Sequence, residues 1–179
     1  MVAQTDFRKL LLEGRHRLSL GRVHDVIAQV QAQPRLTAKL VELLWDDDSG
    51  VVNRAAQAVE LLSRQHAEIF QPWKSELIGL LTESEEKKLR WSLAAALPRL
   101  RLSPAECLRS AEILNGFLED SSSVVKTCAL QGLYNLAQQE ESLQAEVGEL
   151  LRIYSRSGTP AMRARSRILL KNQGQRNAL

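Results

Sequence analysis

The sequence predicts an all-α protein: a right-handed superhelix, or solenoid, in which antiparallel helix pairs stack as about four to five repeats. Three observations lead to this fold class: a repeated pattern, a helix-forming composition and polar turns between apolar stretches. The pattern occurs at residues 51–62, 89–100, 125–136 and 162–171. These segments start 38, 36 and 37 positions apart, and fixed periods of about 20–50 residues are typical of stacked repeats.

The composition favours helices over strands. Leu, Ala, Glu, Arg and Gln dominate and aromatic residues make up only 4% of the chain, which suits helix formation. No apolar run reaches the ~18–20 residues that a membrane span needs, and the N-terminus lacks the apolar core of a signal peptide. We therefore expect a cytoplasmic protein without membrane association, folded as one domain over residues 1–179 with a continuous core.

A second set of helices alternates with the first. Apolar positions recur between the repeated segments, so each repeat is a helix pair, called A and B in chain order. Leu40, Leu43 and Leu44 open this series, and it continues 37 positions later at Leu77. The pattern predicts a lead helix near 5–18, a terminal helix near 160–172, and A/B pairs near 20–32 and 35–46, 50–65 and 71–82, 84–100 and 104–119, and 122–138 and 142–155.

Polar residues mark the boundaries of these helices. Ser103 and Glu106 have the spacing of a capping box with Pro104 at the first helical position. Thr82 and the residues after it can cap the next A helix in a similar way. Acidic and Ser residues precede other A helices, where carboxylates favour the positive end of the helix dipole. Pro98 should kink or end its helix, because it removes a hydrogen bond.

The repeated segments resemble HEAT repeats of the short bacterial kind. The best match is Leu89-Arg90 followed by Ala96-Leu97 and Leu100, and Val125-Lys126 followed by Gly132-Leu133 and Leu136 is close. The resemblance covers residues 34–172, leaving 1–33 as an atypical N-terminal cap and 173–179 as a frayed tail. It implies a partial ladder between turn acids and A-helix bases, for which Asp48 and Glu86 are the available acids and Arg90, Lys126 and Arg163 the available bases. Helix caps with solvated charges explain the same residues equally well.

The resemblance also implies that the B helices line the concave face of the stack. Stacking buries Ala58, Val59, Leu97 and Leu133 with the B-helix leucines, so positions beside the leucine stripe should face a partner. We call these positions the B-helix ridge: Arg35, Lys39, Glu42, Ser75, Glu76, Gly79, Arg109, Glu112, Gly116, Glu149 and Arg152.

The mixed charges of the B-helix ridge favour a protein or peptide partner over nucleic acid. Glu42, Gly79, Gly116 and Glu149 occupy equivalent positions in successive repeats. The glycines, which cost helix stability, would either let a partner approach the backbone or allow neighbouring B helices to pack closely. We expect a non-catalytic scaffold that recognises its partner through this ridge.

The C-terminal end suggests an alternative function. Residues 1–25, 26–151 and 152–179 carry net charges of +2, −6 and +7, which give the +3 of the whole chain. A positive surface can bind phosphates, so this end is a candidate site for RNA, an acidic protein or an anion. A solvated cap of the repeat stack is the other interpretation. The candidate patch comprises Arg156, Arg163, Arg165, Arg167 and Lys171.

No residues in the sequence point to catalysis. DNA-alkylation repair glycosylases are also built from HEAT-like helices, but they would need aromatic residues along a basic concave track. Trp45, Trp73 and Trp91 are scattered, and Trp73 is the best candidate for partial exposure. The histidines have no metal-ligand spacing, and phosphate loops and nucleophile motifs are missing. We therefore expect no cofactor, no metal and no small-molecule substrate. Cys107 and Cys128 are expected to be buried free thiols.

Overall fold

The computed structural model describes residues 6–13 and 20–176, and all regular structure in this part of the chain is helical. Short 3-10 turns join many of the helices. The α-helices are α1 (Phe7–Leu12), α2 (Val23–Ala32), α3 (Thr37–Glu42), α4 (Ser49–His66), α5 (Lys74–Glu83), α6 (Lys87–Ala96), α7 (Pro104–Gly116), α8 (Ser123–Ala137), α9 (Gln144–Ser157) and α10 (Pro160–Arg176).

The helices form two layers, as the period predicts. The A helices are α2, α4, α6, α8 and α10, and each packs directly against the next A helix along the chain. The B helices are α3, α5, α7 and α9. Direct packing between neighbouring B helices is much sparser than within the A layer. The all-α fold of stacked helix pairs is confirmed, and the A layer is its more closely packed side.

The predicted core is confirmed. Ala58, Val59, Leu97 and Leu133 are all buried. The B-helix leucines join them in one continuous apolar cluster that runs from α1 to α10. Each helix pair therefore completes its core with side chains of its neighbours, as stacked repeats require.

Some boundaries differ from the prediction. The first B helix is shorter than expected because 3-10 turns occupy Pro34–Leu36 and Leu43–Trp45. Pro98 ends α6 as predicted, and the chain continues as a 3-10 turn over Leu97–Arg99. The tail is not frayed from residue 173, because α10 continues to Arg176. Gln173 there is half-buried and lies close to Gly148 of α9. Residues 14–18 of the predicted lead helix and 177–179 of the tail lie outside the described residues.

The predicted caps form at α4 and α7 but not at α6. Asp48 accepts hydrogen bonds from the backbone N–H groups of Gly50 (2.8 Å) and Val51 at the start of α4. The Ser103–Glu106 capping box is present at α7. Thr82 does not cap α6, since its hydroxyl donates to the carbonyl of Ile78 instead.

The ladder between repeats uses different acids from those expected. Arg90 pairs with Asp120 in the turn of the following repeat at 2.7 Å, and Arg8 pairs with Asp46 at 2.6 Å. The Asp48 carboxylate caps the start of α4 instead of pairing with a base. Glu86 lies at the N-cap of α6, where its side chain makes no capping hydrogen bond. The acid of each pair therefore lies in the turn that follows a B helix. The Arg8 guanidinium holds the pKa of the Asp46 carboxyl below its usual value.

We predict opposite effects of Ala at two glycines. A Cβ on Gly132 would lie 2.7 Å from Leu114 Cδ1 and 2.8 Å from the Ala94 carbonyl oxygen. Gly132→Ala should therefore lower the free energy of unfolding by roughly 1–3 kcal/mol, because neighbouring backbone must move. At Gly79 a Cβ meets no heavy atom within 4 Å. Gly79→Ala should therefore raise the free energy of unfolding by up to about 1 kcal/mol, because Ala has the higher helix propensity.

Urea unfolding followed by circular dichroism measures both changes. Gly79→Ala is the matched control, since it makes the same chemical change at an open position. If Gly132→Ala is as stable as the parent protein, the close approach of α6 and α8 is incorrect.

Candidate functional site

The B-helix ridge is a solvent-facing surface. Its residues lie on α3, α5, α7 and α9, with Arg35 in the preceding 3-10 turn. All of them are exposed except Lys39 and Gly79, which are half-buried. Arg109 and Glu112, near the middle of the ridge, form no ion pair among the described residues, whereas Glu149 and Arg152 pair with each other at 2.6 Å.

The ridge glycines do not serve helix packing. A Cβ at Gly79 or at Gly116 would meet no heavy atom within 4 Å, so both positions face open space. Close packing of neighbouring B helices, one of the two explanations for these glycines, is therefore wrong. The other, approach of a partner to the backbone, stays a prediction.

Polar contacts hold neighbouring B helices in position beside this ridge. Lys74 of α5 pairs with Glu106 of α7 at 2.7 Å, and the Asn115 amide of α7 donates to Glu146 of α9 at 3.1 Å. The pKa of Glu106 is lowered by the Lys74 ammonium, by a hydrogen bond from the backbone N–H of Ser103 and by the Ser103 hydroxyl. The ridge segments on α5, α7 and α9 are therefore linked to one another as well as to the core.

The predicted basic patch is divided between different surroundings. Arg163 is half-buried and donates to the Gly158 carbonyl at 2.7 Å. Arg165 reaches across to α8, where it donates to Gln131 Oε1 at 3.3 Å. Arg156, Arg167 and Lys171 are exposed, and so is Arg165. None of these five cations forms an ion pair within the described part of the chain, so their positive charge is not neutralised there.

A groove crosses the outer face of the A layer. It has a volume of about 510 Å³ and is lined by four successive A helices. We call it the A-layer groove, and none of the B-helix ridge residues lines it. Its walls are Glu60 and Arg64 of α4, Trp91 and Ala95 of α6, Arg99 of the following turn, Thr127, Cys128, Gln131 and Asn135 of α8, and Arg165 of α10.

A buried acid neutralises part of the charge at one end of the groove. The carboxylate of Glu60, which is 3% exposed, accepts hydrogen bonds from Arg64 (2.9 Å) and from Arg99 (2.9 Å). Arg99 also donates to the Ser63 hydroxyl at 2.7 Å. A buried carboxylate requires such partners because its desolvation is costly. Three arginines and one glutamate line the groove, which leaves a net charge of +2.

The middle of the groove carries two amides and a thiol. Gln131 Nε2 donates to Asn135 Oδ1 at 2.9 Å, and both side chains are half-buried. Burial raises the pKa of Cys128 to about 11, and the nearby Glu60 carboxylate adds to this effect while Arg165 and Arg99 oppose it. The thiol is therefore neutral at physiological pH and contributes no charge. Cys107 is buried, as predicted, whereas Cys128 is only half-buried.

The groove was not predicted from the sequence, although the repeat register contains a sign of it. Arg99 and Asn135 both lie ten positions after the first residue of their repeated segment. Ala95 and Gln131 both lie six positions after it. Applying the register to the outer positions of the A helices would have grouped these residues. Trp73 is half-buried, in agreement with the predicted partial exposure, but Trp45, at 52% exposure, is more open than Trp73 or Trp91.

Among residues 6–13 and 20–176, no group of three or more His, Cys, Asp or Glu side chains is arranged to hold a metal ion. None of the helices there combines the length and apolarity that crossing a membrane requires.

Comparison with known proteins agrees with this architecture. The model of the HEAT repeat domain matches residues 9–173. A crystal structure of an engineered protein is similar, with a TM-score of 0.63 and 18% sequence identity over 93% of this chain and 77% of that chain; at this identity the likeness concerns the fold alone. No curated protein matches the chain. Because the family match spans most of the 179 residues, the chain belongs to the HEAT repeat family.

Proposed function

We propose that this chain is a non-catalytic protein-interaction module whose B-helix ridge contacts a partner protein or peptide. HEAT repeats generally mediate protein–protein interaction or scaffolding. The observation that carries the proposal for the ridge is the pair of open glycines at equivalent positions. Each costs helix stability relative to Ala without any packing in return, and a partner approaching the backbone accounts for that cost.

The charges of the ridge suit a protein surface. Arg109 and Glu112 lie three residues apart on α7, and both are exposed and lack ion-pair partners among the described residues. Unpaired charges of both signs provide complementarity and specificity toward a partner that carries the opposite arrangement. A phosphate backbone would be attracted by one sign and repelled by the other.

Nucleic-acid binding through the basic C-terminal end is a second candidate function. It is favoured by the absence of any ion pair at Arg156, Arg163, Arg165, Arg167 or Lys171 within the described ranges. Three of these side chains, Arg156, Arg167 and Lys171, make no other hydrogen bond there. Such cations are available to neutralise phosphates.

We predict that exchanging the ridge charges abolishes partner capture. The double variant Arg109→Glu with Glu112→Arg preserves net charge and should leave Tm nearly unchanged, because both side chains are exposed. Tagged full-length protein should lose at least one partner in a quantitative pull-down. The matched control exchanges two exposed charges outside the ridge and the basic patch, Glu141→Arg with Arg101→Glu, and should retain that partner. If charge exchanges along the whole ridge leave every partner bound, the ridge is not the site.

A gel-shift titration against salt tests the second candidate. The triple variant Arg156→Gln, Arg167→Gln, Lys171→Gln should reduce the slope of log affinity against log salt by about 2–3, because each neutralised phosphate contributes about 0.7–0.9. Replacing Arg35, Lys39 and Arg109 by Gln is the control for loss of charge. Absence of a shift at low salt, or equal affinities for both triple variants, rejects nucleic-acid binding at this end.

A further inference from the structure

We propose that the A-layer groove binds an extended acidic segment of a partner protein, with Arg165 holding a carboxylate of that segment. Gln131 and Asn135 would bond its backbone. The proposal rests on the protein-binding function proposed above, but it adds a second surface on the other layer of helices. The B-helix ridge takes no part in it.

Arg165 is the main reason to expect an anion. Its guanidinium carries five N–H donors, yet the described residues offer it only a 3.3 Å hydrogen bond to Gln131 Oε1 and no carboxylate. It lines the groove at the end where α10 packs against α8. Arginine binds carboxylates through two parallel hydrogen bonds, so an acidic side chain would satisfy the donors that the protein leaves open.

The neighbouring amides suit a peptide backbone. The contact between Gln131 Nε2 and Asn135 Oδ1 uses one donor of Gln131 and leaves the Asn135 Nδ2 group without a protein partner among the described residues. Side-chain amides offer both donors and acceptors, which matches the alternating N–H and C=O groups of an extended chain. Trp91 adds an apolar surface along the same wall.

The opposite end of the groove is also positive, with the same net charge of +1 as the Arg165 end. Arg64 and Arg99 share the single carboxylate of Glu60, so this pair of cations exceeds its counter-ion by one charge. Arg64 is accessible to a ligand while it bonds Glu60, because its side chain is 58% exposed. Arg99 is fixed by its contacts with Glu60 and Ser63. Positive charge at both ends favours an occupant with acidic residues separated along its length.

The dimensions of the groove favour an extended chain. Four successive A helices line it, and interhelical distances of about 8–10 Å give a span of roughly 20–30 Å. That distance corresponds to about six to nine extended residues. A nucleic acid is less suitable, because Glu60 lies at one end, the net charge is only +2, and strong phosphate binding needs more neutralised contacts.

Cys128 provides an internal reporter of the groove. With Cys107 replaced by Ala, iodoacetamide should alkylate Cys128 at pH 8.5 roughly tenfold more slowly than in the unfolded chain, since its pKa is about 11. The rate should rise nearly tenfold per pH unit up to pH ~10.5, because only the thiolate reacts. Arg165→Gln should slow alkylation further, as Arg165 lowers the pKa of this thiol.

The alkylation rates are measured by mass spectrometry of the intact protein. If Cys128 reacts at pH 8.5 as fast as it does in the unfolded chain, the groove is not closed around the thiol as described.

Fluorescence anisotropy with labelled nine-residue peptides tests the proposal itself. One peptide alternates Glu and Leu, and its control alternates Gln and Leu. The full-length protein should bind the Glu peptide at least tenfold more tightly at low salt, as charge-assisted hydrogen bonds predict. Arg165→Gln should weaken this binding about tenfold, whereas Arg167→Gln, an equal charge change at an exposed position of the same helix, should weaken it less than twofold. Bound Glu peptide should also slow the alkylation of Cys128.

Three results would overturn the proposal. The first is equal binding of the Glu and Gln peptides, and the second is equal weakening by Arg165→Gln and Arg167→Gln, which would indicate non-specific attraction. The third is binding of a twelve-nucleotide oligo(dT), but not of the Glu peptide, in a manner that depends on Arg165. The ridge variant Arg109→Glu with Glu112→Arg should bind the Glu peptide normally, so failure of the groove proposal and failure of the ridge proposal are distinguishable.

Discussion

The close approach of successive A helices is the constraint on which the rest of the structure depends. Small residues allow it, and Gly132 is the extreme case, since even a methyl group there would collide with the backbone of Ala94 in the neighbouring A helix. Ala94 and Ala129 are likewise fully buried at 0% exposure. Larger side chains would hold the helices apart. Because the helices lie this close, outward-facing side chains from four of them converge on the A-layer groove instead of dispersing over the surface.

The same close approach decides which charges meet between repeats. Arg99 reaches back to Glu60 on the previous A helix, and Arg90 reaches forward to Asp120 in the next turn. Glu60 is almost fully buried, so its hydrogen bonds with Arg64 and Arg99 offset the cost of desolvating it. Removal of Arg99 would leave a buried carboxylate with a single partner. The Glu60 end of the groove is therefore part of the packing between α4 and α6, and it is held in place before any partner arrives.

The register predicted the fold well because it reflects burial, which every repeat must satisfy in the same way. It located each helix pair, the capping box at Ser103 and core residues such as Leu97. It could not predict the 3-10 stretch Ala67–Trp73 or the choice of Asp120 as the partner of Arg90, which depend on how repeats are placed in space. The register did not predict the groove, because the residues that line it differ in chemistry from repeat to repeat. Trp91 and Thr127, for example, occupy equivalent positions in successive repeats. The resemblance to HEAT repeats, moreover, implies a binding face on the B helices and not on the A layer.

The uneven charge of the chain gives the groove a polarity. The central stretch is net acidic, whereas all seven charged residues after position 151 are basic. α10 packs against α8 and so brings Arg165 beside the amides of Gln131 and Asn135, where the acidic body ends. An acidic partner would be repelled along most of the body and attracted at this junction, and long-range fields of this kind steer association and set orientation. Such a segment would therefore enter the groove from the α10 end and extend toward Arg64, where Glu60 limits how much further negative charge the groove can accept.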